Sequence, residues 1–215
     1  MHEKMREAAR AMVRTIWARI PTLKIRSTNR ISLDRLLTKQ FKKLTPGVVL
    51  DVGAKGAPYS GAIPHTQLLT LDINSKNNPD ICCDVHELDW EDDYFDTVVA
   101  VEVLEHLQDP QRAVNQMHRV LRKGGIMILS TRFLYRYHPD PKDFYRFTRD
   151  SLQHLFRDFS QVDIQHHGNR LQTFWELVNP GGRSRVLLNV FNPLVAKSES
   201  ETTDFPLGFV VWAKK

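Results

Sequence analysis

The chain has 215 residues, 41% of them apolar, and a formal net charge of +5, enough to bury the core of one sizeable domain. No run approaches the roughly 18 apolar residues needed to cross a bilayer. The first residues, with Glu3, Lys4, Arg6 and Glu7, lack the apolar stretch of a secretory signal, so a cytoplasmic protein is expected.

The charge is uneven. Residues 1–45 hold 12 Lys/Arg against 3 Asp/Glu, a net +9, which leaves the remaining 170 residues at −4. Within that basic segment, Met5, Ala9, Met12, Val13, Ile16, Trp17 and Ile20 recur every three or four residues up to Pro21, the pattern of a basic amphipathic helix. Three readings stay open for residues 1–20: a cover over the core, a helix lying on an anionic membrane surface, or a nucleic-acid contact. Residues 1–45 are therefore set apart as a helical extension, and residues 46–215 as the main domain.

From Pro46 onward strand and helix patterns alternate. Unbroken apolar runs at Val48–Val52, Leu68–Ile73, Ile81–Val85, Thr97–Leu104 and Ile126–Leu129 suit strands buried on both faces. Cys82 and Cys83 are adjacent and are the chain's two cysteines; they give no disulfide framework or metal-ligand spacing and are expected to be buried on the third strand. Between the fourth and fifth strands a helix is predicted, capped by Asp109, opened by Pro110, with an apolar face of Ala113, Val114, Met117, Val120 and Leu121, and ended by Gly124. This alternation predicts a doubly wound α/β sheet whose ligands sit at the carboxyl ends of the strands.

Those ends are acidic in an ordered series. Asp51 and Gly53 close the first strand, Asp72 the second, Asp84 the third and Glu102 the fourth, with Glu105 and His106 just beyond. A carboxylate accepts hydroxyl and amine donors, so the series suggests a ligand rich in both. Asp72 follows Asp51 by 21 residues, about the interval at which an acid grips ribose hydroxyls in dinucleotide folds.

The stretches "VLDVGAKGAPYSG", "LLTLDIN", "CDVHELDWEDDYFDTVVAVEVLEHLQDP" and "MHRVLRKGGIMILSTRF" together resemble the class I S-adenosylmethionine-dependent methyltransferases, in the type 11-like branch where E-V-L-E-H follows the fourth strand. The resemblance spans about residues 48–133. It implies a Rossmann-like seven-stranded sheet with a reversed last strand, to which "FPLGFVVWAKK" and, on the paired strand, "FSQVDIQHHG" correspond. It also implies S-adenosylmethionine as cofactor. Asp51, Gly53 and Gly56 would cradle its methionine part, Asp72 and the neighbouring Ile73 its ribose, Asp84 and the Val85 amide its adenine, and Glu102 would line the methionine end.

One position departs from the family's D-x-G-x-G-x-G turn, since Lys55 stands at its second glycine and Ala57 at its third. Three readings of Lys55 remain: pairing with the cofactor's carboxylate, a solvent-pointing turn residue, or a block to binding. Methyl transfer draws on holding nucleophile and methyl in line, with a base where the acceptor must lose a proton. His138 is the expected base, with Asp143 or His106 behind it, in a loop whose "DFYRFT" resembles a signature of methyltransferases found with glycan-assembly enzymes. Asn169 to Asp204 reads as a cap insertion over the acceptor. The expected reaction is O-methylation of a small or glycan-like acceptor. A nucleic-acid methyltransferase is disfavoured, because "EVLEHL" occupies the place of a D/N-P-P-Y/F/W turn. A non-catalytic binding protein of the same fold is the remaining alternative.

Overall fold

A computed structural model describes residues 26–178, 191–198, 200 and 202–215. The basic helix expected at residues 1–20 and the middle of the insertion lie outside them. No helix among the described residues is long and apolar enough to cross a membrane.

Helix α1, Thr28–Phe41, opens at Ser27, whose hydroxyl accepts from the Arg30 amide at 3.1 Å. Leu33, Leu37 and Phe41 repeat every fourth residue, so they share one face, and each is at most 1% exposed. That face packs on a sheet of seven strands in the order β3-β2-β1-β4-β5-β7-β6. The strands are β1 Val48–Val52, β2 Gln67–Asp72, β3 Ile81–Cys82, β4 Phe95–Val101, β5 Leu121–Arg132, β6 Gln161–His167 and β7 Gly208–Lys214. β1 to β5 pair in parallel, and β7 runs antiparallel to both β5 and β6. The reversed last strand is thus present.

Strand alternation divides the core. Val49, Val99, Ile128 and Val210 face α1. Leu50, Val98, Met127 and Val211 face the opposite layer, helix α2 (Pro110–Val120) and helix α3 (Arg149–Leu155). Asp109 caps α2 through the Arg112 amide at 3.0 Å, with Pro110 in the first turn as predicted. The helix stops at Val120, four residues before the expected Gly124. Leu121 already pairs with Phe95, and Gly124 (φ +75°) makes a bend inside β5 instead.

The described connections from β1 to β4 hold no α-helix, only single 3-10 turns at Ser60–Ala62, Ser75–Asn77 and Val85–Glu87. The β1–β2 connection explains itself, since Gly53, Gly56, Pro58, Gly61 and Pro64 fall within 12 residues and each disfavours a helix. α1 therefore covers the face that a crossover helix would have covered, and residues 28–41 share the core of the main domain. Two predicted strands are shorter than their apolar runs: β3 ends at Cys82, where Asp84 caps a turn, and β4 ends at Val101. The expectation for the cysteines is corrected too. β3 is an edge strand, so Cys82 is exposed and Cys83 half-buried.

Within the insertion, helix α4 (Arg170–Val178) lies against α1, with Glu176 accepting from the Asn29 amide at 2.8 Å. The short helix α5 (Asn192–Val195) joins the same layer: Asn192 donates to the Arg26 carbonyl at 3.0 Å and accepts from the Trp175 indole at 2.7 Å. Phe174 on α4 is 60% exposed.

Candidate active site

The first strand end is a turn of left-handed backbone. Gly53, Lys55, Gly56 and Ala57 have φ of +68°, +40°, +81° and +50°, a region that L side chains enter only with strain. Gly53 is additionally confined, because a Cβ there would lie 2.5 Å from Val103 Cγ2. Its amide donates to the Leu71 carbonyl at 2.7 Å, which ties the turn to β2. Tyr59 anchors the far side: its hydroxyl donates to Asp34 at 2.7 Å, its ring meets Phe41 edge-on, and Arg30 lies 5.0 Å over it. The Pro58-Tyr59 pair thus fastens the turn to α1.

Asp51 is 3% exposed, and its Oδ2 has no hydrogen-bond partner. Burial pushes its carboxyl pKa up to about 7. A carboxyl with a raised folded-state value binds more protons folded than unfolded, so its ionisation costs stability as pH rises from about 4 through 7. Asp51→Asn is expected to raise the thermal midpoint relative to the parent chain more at pH 8 than at pH 5, as measured by calorimetric melting at both.

Asp72 is 6% exposed and is already held by three donors. Oδ1 accepts from the Asn74 amide at 2.9 Å, and Oδ2 from Asn77 Nδ2 at 2.8 Å and the Lys55 amide at 3.3 Å. A carboxylate has about four acceptor positions, so roughly one stays open and Asn77 is the partner able to yield another. Ile73 beside it is 62% exposed, a bare apolar surface at the strand end. Asp84 caps the next turn: its Oδ1 takes both the His86 amide at 2.9 Å and His86 Nδ1 at 2.5 Å, while His86 Nε2 reaches the Asp109 carbonyl at 3.1 Å. Val85 is buried in the core.

Past β4 and β5 the charges close on one another. Pairing of Val101 with Ser130 sets the two following segments side by side. Glu102 (φ +58°) forms an ion pair with Arg132 Nε, which also stands 3.7 Å from Glu105 Oε1. Glu102, expected to line a ligand, is thus engaged across the strands. Glu105 is fully buried, its Oε2 accepting from the Thr131 hydroxyl at 2.9 Å. Burial first, then the charge of Glu102, raises its pKa. Arg132 also stacks on Tyr135, 3.9 Å from the ring centre.

The loop after β5 is fixed by a clasp. Arg146 directs its five N–H groups to the carbonyls of Tyr135, Arg136 and Tyr145 and to both oxygens of Asp143. Phe147 is buried and Thr148 caps α3 through the Ser151 amide at 3.1 Å. The Asp143 side chain is 1% exposed, and the Arg146 bonds hold its carboxyl well below the usual range. It is no free base; it positions His138, accepting from that residue's amide at 2.9 Å and facing Nδ1 at 3.3 Å. His138 and His106 meet edge-on with ring centres 5.0 Å apart. Burial and the neighbouring Arg132 lower the His138 pKa, which keeps the ring neutral.

Lys55 reaches into this loop and pairs with Asp140, 85 residues away. The strand ends thus gather Asp51, Gly53, Asp72 and Ile73 on one side and Glu105, His106 and His138 on the other. Arg132, Arg146 and Tyr59 had no assigned role from sequence; the R-F-T of "DFYRFT" and the P-Y after the first turn were the signals for two of them.

A cavity of about 790 Å³ lies elsewhere, between α1 and the end of β6, lined by Arg35, Lys39, Arg149 and His166 among others. β6 is four strands from β1, about 19 Å. The crevice between β1 and β4, where the strand order reverses, is the better site, because connections diverge there and leave the strand ends open.

Residues 50–129 match the family model of a methyltransferase domain. Over 50 residues the chain is 44% identical to a phosphatidylethanolamine N-methyltransferase of Cereibacter sphaeroides, a match covering 23% of this chain and a quarter of that protein's length. The fold is similar to a SAM-dependent methyltransferase from Archaeoglobus fulgidus (TM-score 0.59, 16% identity, 88% of this chain and 95% of that one). It is also similar to a phosphoethanolamine N-methyltransferase 2 of Haemonchus contortus (TM-score 0.55, 13% identity, 85% and 52%). Residues 50–129 therefore match a methyltransferase domain, and the seven-stranded sheet around them has the fold of solved SAM-dependent methyltransferases.

Proposed function

We propose that the chain uses S-adenosylmethionine to methylate a hydroxyl oxygen of a small or glycan-like acceptor. The observation that carries this reading is the convergence at adjoining strand ends of two carboxyl groups beside a left-handed glycine turn with a pair of imidazoles in edge-on contact. The residues fit the cofactor. Asp51 offers a buried acceptor oxygen without a partner to an ammonium, Gly53 allows close backbone approach, Asp72 keeps room for a hydroxyl, and Ile73 presents an apolar face to a base. Both bonds to Asp84 fall on Oδ1, which leaves Oδ2 for the adenine amino group. When bound, the cofactor supplies an electrophilic methyl group. Lys55, turned to Asp140, ties the cradle to the loop that carries His138 and does not block the turn.

On the other side, His138 is the group placed to take the acceptor's proton. Its ring is neutral and oriented by Asp143. The second reading is transfer to a lipid amine, supported by the Cereibacter relative, with the basic residues 1–20 resting on an anionic bilayer. Labelled methyl transfer from S-adenosylmethionine to hydroxylated sugars, compared with phosphatidylethanolamine vesicles, separates the two. Label on the sugar fraction is expected; label on the vesicles alone replaces the first reading with the second, and label on neither with cofactor bound contradicts both.

A further inference from the structure

We propose that Glu105, His106 and His138 form a binding site for a divalent transition-metal ion at the carboxyl ends of β4 and β5. Ligand-capable atoms of the three residues lie within 4.8 Å of one another. A zinc-sized ion about 2.1 Å from each would bring neighbouring ligand atoms to about 3.4 Å in tetrahedral geometry, so the cluster has to contract by a little over 1 Å. Two imidazoles and one carboxylate suit zinc, cobalt, iron or manganese over calcium or magnesium.

Each donor is prepared for the role. Glu105 is fully buried, and its Oε1 has no hydrogen-bond partner; the nearest cation, Arg132 Nε at 3.7 Å, is committed to Glu102. A buried carboxylate oxygen left without a partner is costly, and a cation ligated there removes that cost. Nδ1 of His106 contacts the Lys142 carbonyl. A carbonyl only accepts, so that nitrogen bears the proton and the other keeps its lone pair. Nδ1 of His138 stands 3.3 Å from the Asp143 carboxylate, which Arg146 clasps at both oxygens. A ring nitrogen bound to a carbonyl, as in His106, is the supporting shell that metal-ligating histidines have, and the His138 Nδ1 is buried without a hydrogen-bond partner. The three residues leave further coordination positions open, and an acceptor oxygen could occupy one. That role rests on the methyl-transfer reading, and in the metal-bound form both imidazoles are ligands instead of bases. The binding itself does not depend on that reading.

The test is calorimetric titration of Co²⁺ and Zn²⁺ into the chelator-treated full chain, with the visible spectrum of the Co²⁺ form recorded. One ion per chain is expected, with ligand-field bands of a nitrogen-coordinated site. His106→Ala and His138→Ala are each expected to weaken binding at least about 100-fold with far-UV circular dichroism unchanged, and His65→Ala to leave it unaltered. Because Glu105 is in the core, the two histidine variants carry the result if Glu105→Gln fails to fold. Absence of binding below millimolar metal, or equal binding in both histidine variants, overturns the proposal. S-Adenosylhomocysteine binding, measured in parallel on metal-free protein, fails only if the cofactor reading is wrong.

Discussion

Asp72→Ala is expected to weaken S-adenosylmethionine binding by roughly 100- to 1000-fold, as measured by equilibrium dialysis with labelled cofactor. Two hydroxyl bonds to an almost fully buried carboxylate contribute about 1.5–3 kcal/mol each, and about 1.4 kcal/mol is a factor of ten. The scaffold around Asp72 sets its direction: the Asn74 and Lys55 amides and Asn77 Nδ2 converge on the two oxygens, so it is oriented before any ligand arrives. Alanine also removes the acceptor from those three donors. The turn after β2 is exposed from Ile73 to Lys76, so water can replace the lost acceptor and the loss of stability stays small beside the loss of affinity. A drop in affinity below tenfold would mean that ribose is held elsewhere.

Arg146→Ala is expected to lower the thermal midpoint by roughly 10 °C. The change strands the Asp143 carboxylate, 1% exposed, without its main partner. Removing one member of a buried pair costs about 3 kcal/mol or more, and 1 kcal/mol corresponds to about 2–4 °C for a chain of this size. It also frees the carbonyls of Tyr135, Arg136 and Tyr145. Hydrogen exchange should therefore quicken first at the amides of Phe144, Tyr145 and Phe147, which bond to the Glu105 and Arg132 carbonyls. Arg146→Lys should recover little of this, because a single ammonium cannot supply the five-donor planar fork.

Much of the fold could be read directly from residue patterns. The strands were legible because parallel strands buried on both faces appear as continuous apolar runs, and α2 because Asp109 and Pro110 mark its start. β6 and β7 fell where the resemblance put them. What escaped depended on contacts distant in sequence. α1 was hidden in a segment dominated by its charge, although Leu33, Leu37 and Phe41 have helical spacing; its partner is a sheet face assembled from four strands. The end of α2 was missed because Leu121 pairs with Phe95, and that pairing outweighs the glycine stop signal.

The site divides in the same way. The placement of Asp51, Gly53 and Asp72 at the strand ends was legible because strand-end acids and a glycine turn have local signatures. The pairing of Glu102 with Arg132 was not legible, since the two are 30 residues apart and only the β4–β5 register brings them together. Lys55 looked anomalous in the turn motif, and its partner Asp140 lies in a loop with no fixed spacing to it. "DFYRFT" was recognised as a motif, but its role as a clasp around Arg146 needed the carbonyls it closes on.

A cofactor bound at the ends of β1 and β2 would leave its mark on the amides there. Backbone amide spectra of the full chain with and without S-adenosylhomocysteine test it most directly. The account predicts that the largest shifts fall on Gly53, Lys55, Gly56, Asp72, Ile73 and Val85; shifts confined to the cavity between α1 and β6, or no shifts at millimolar ligand, would contradict it.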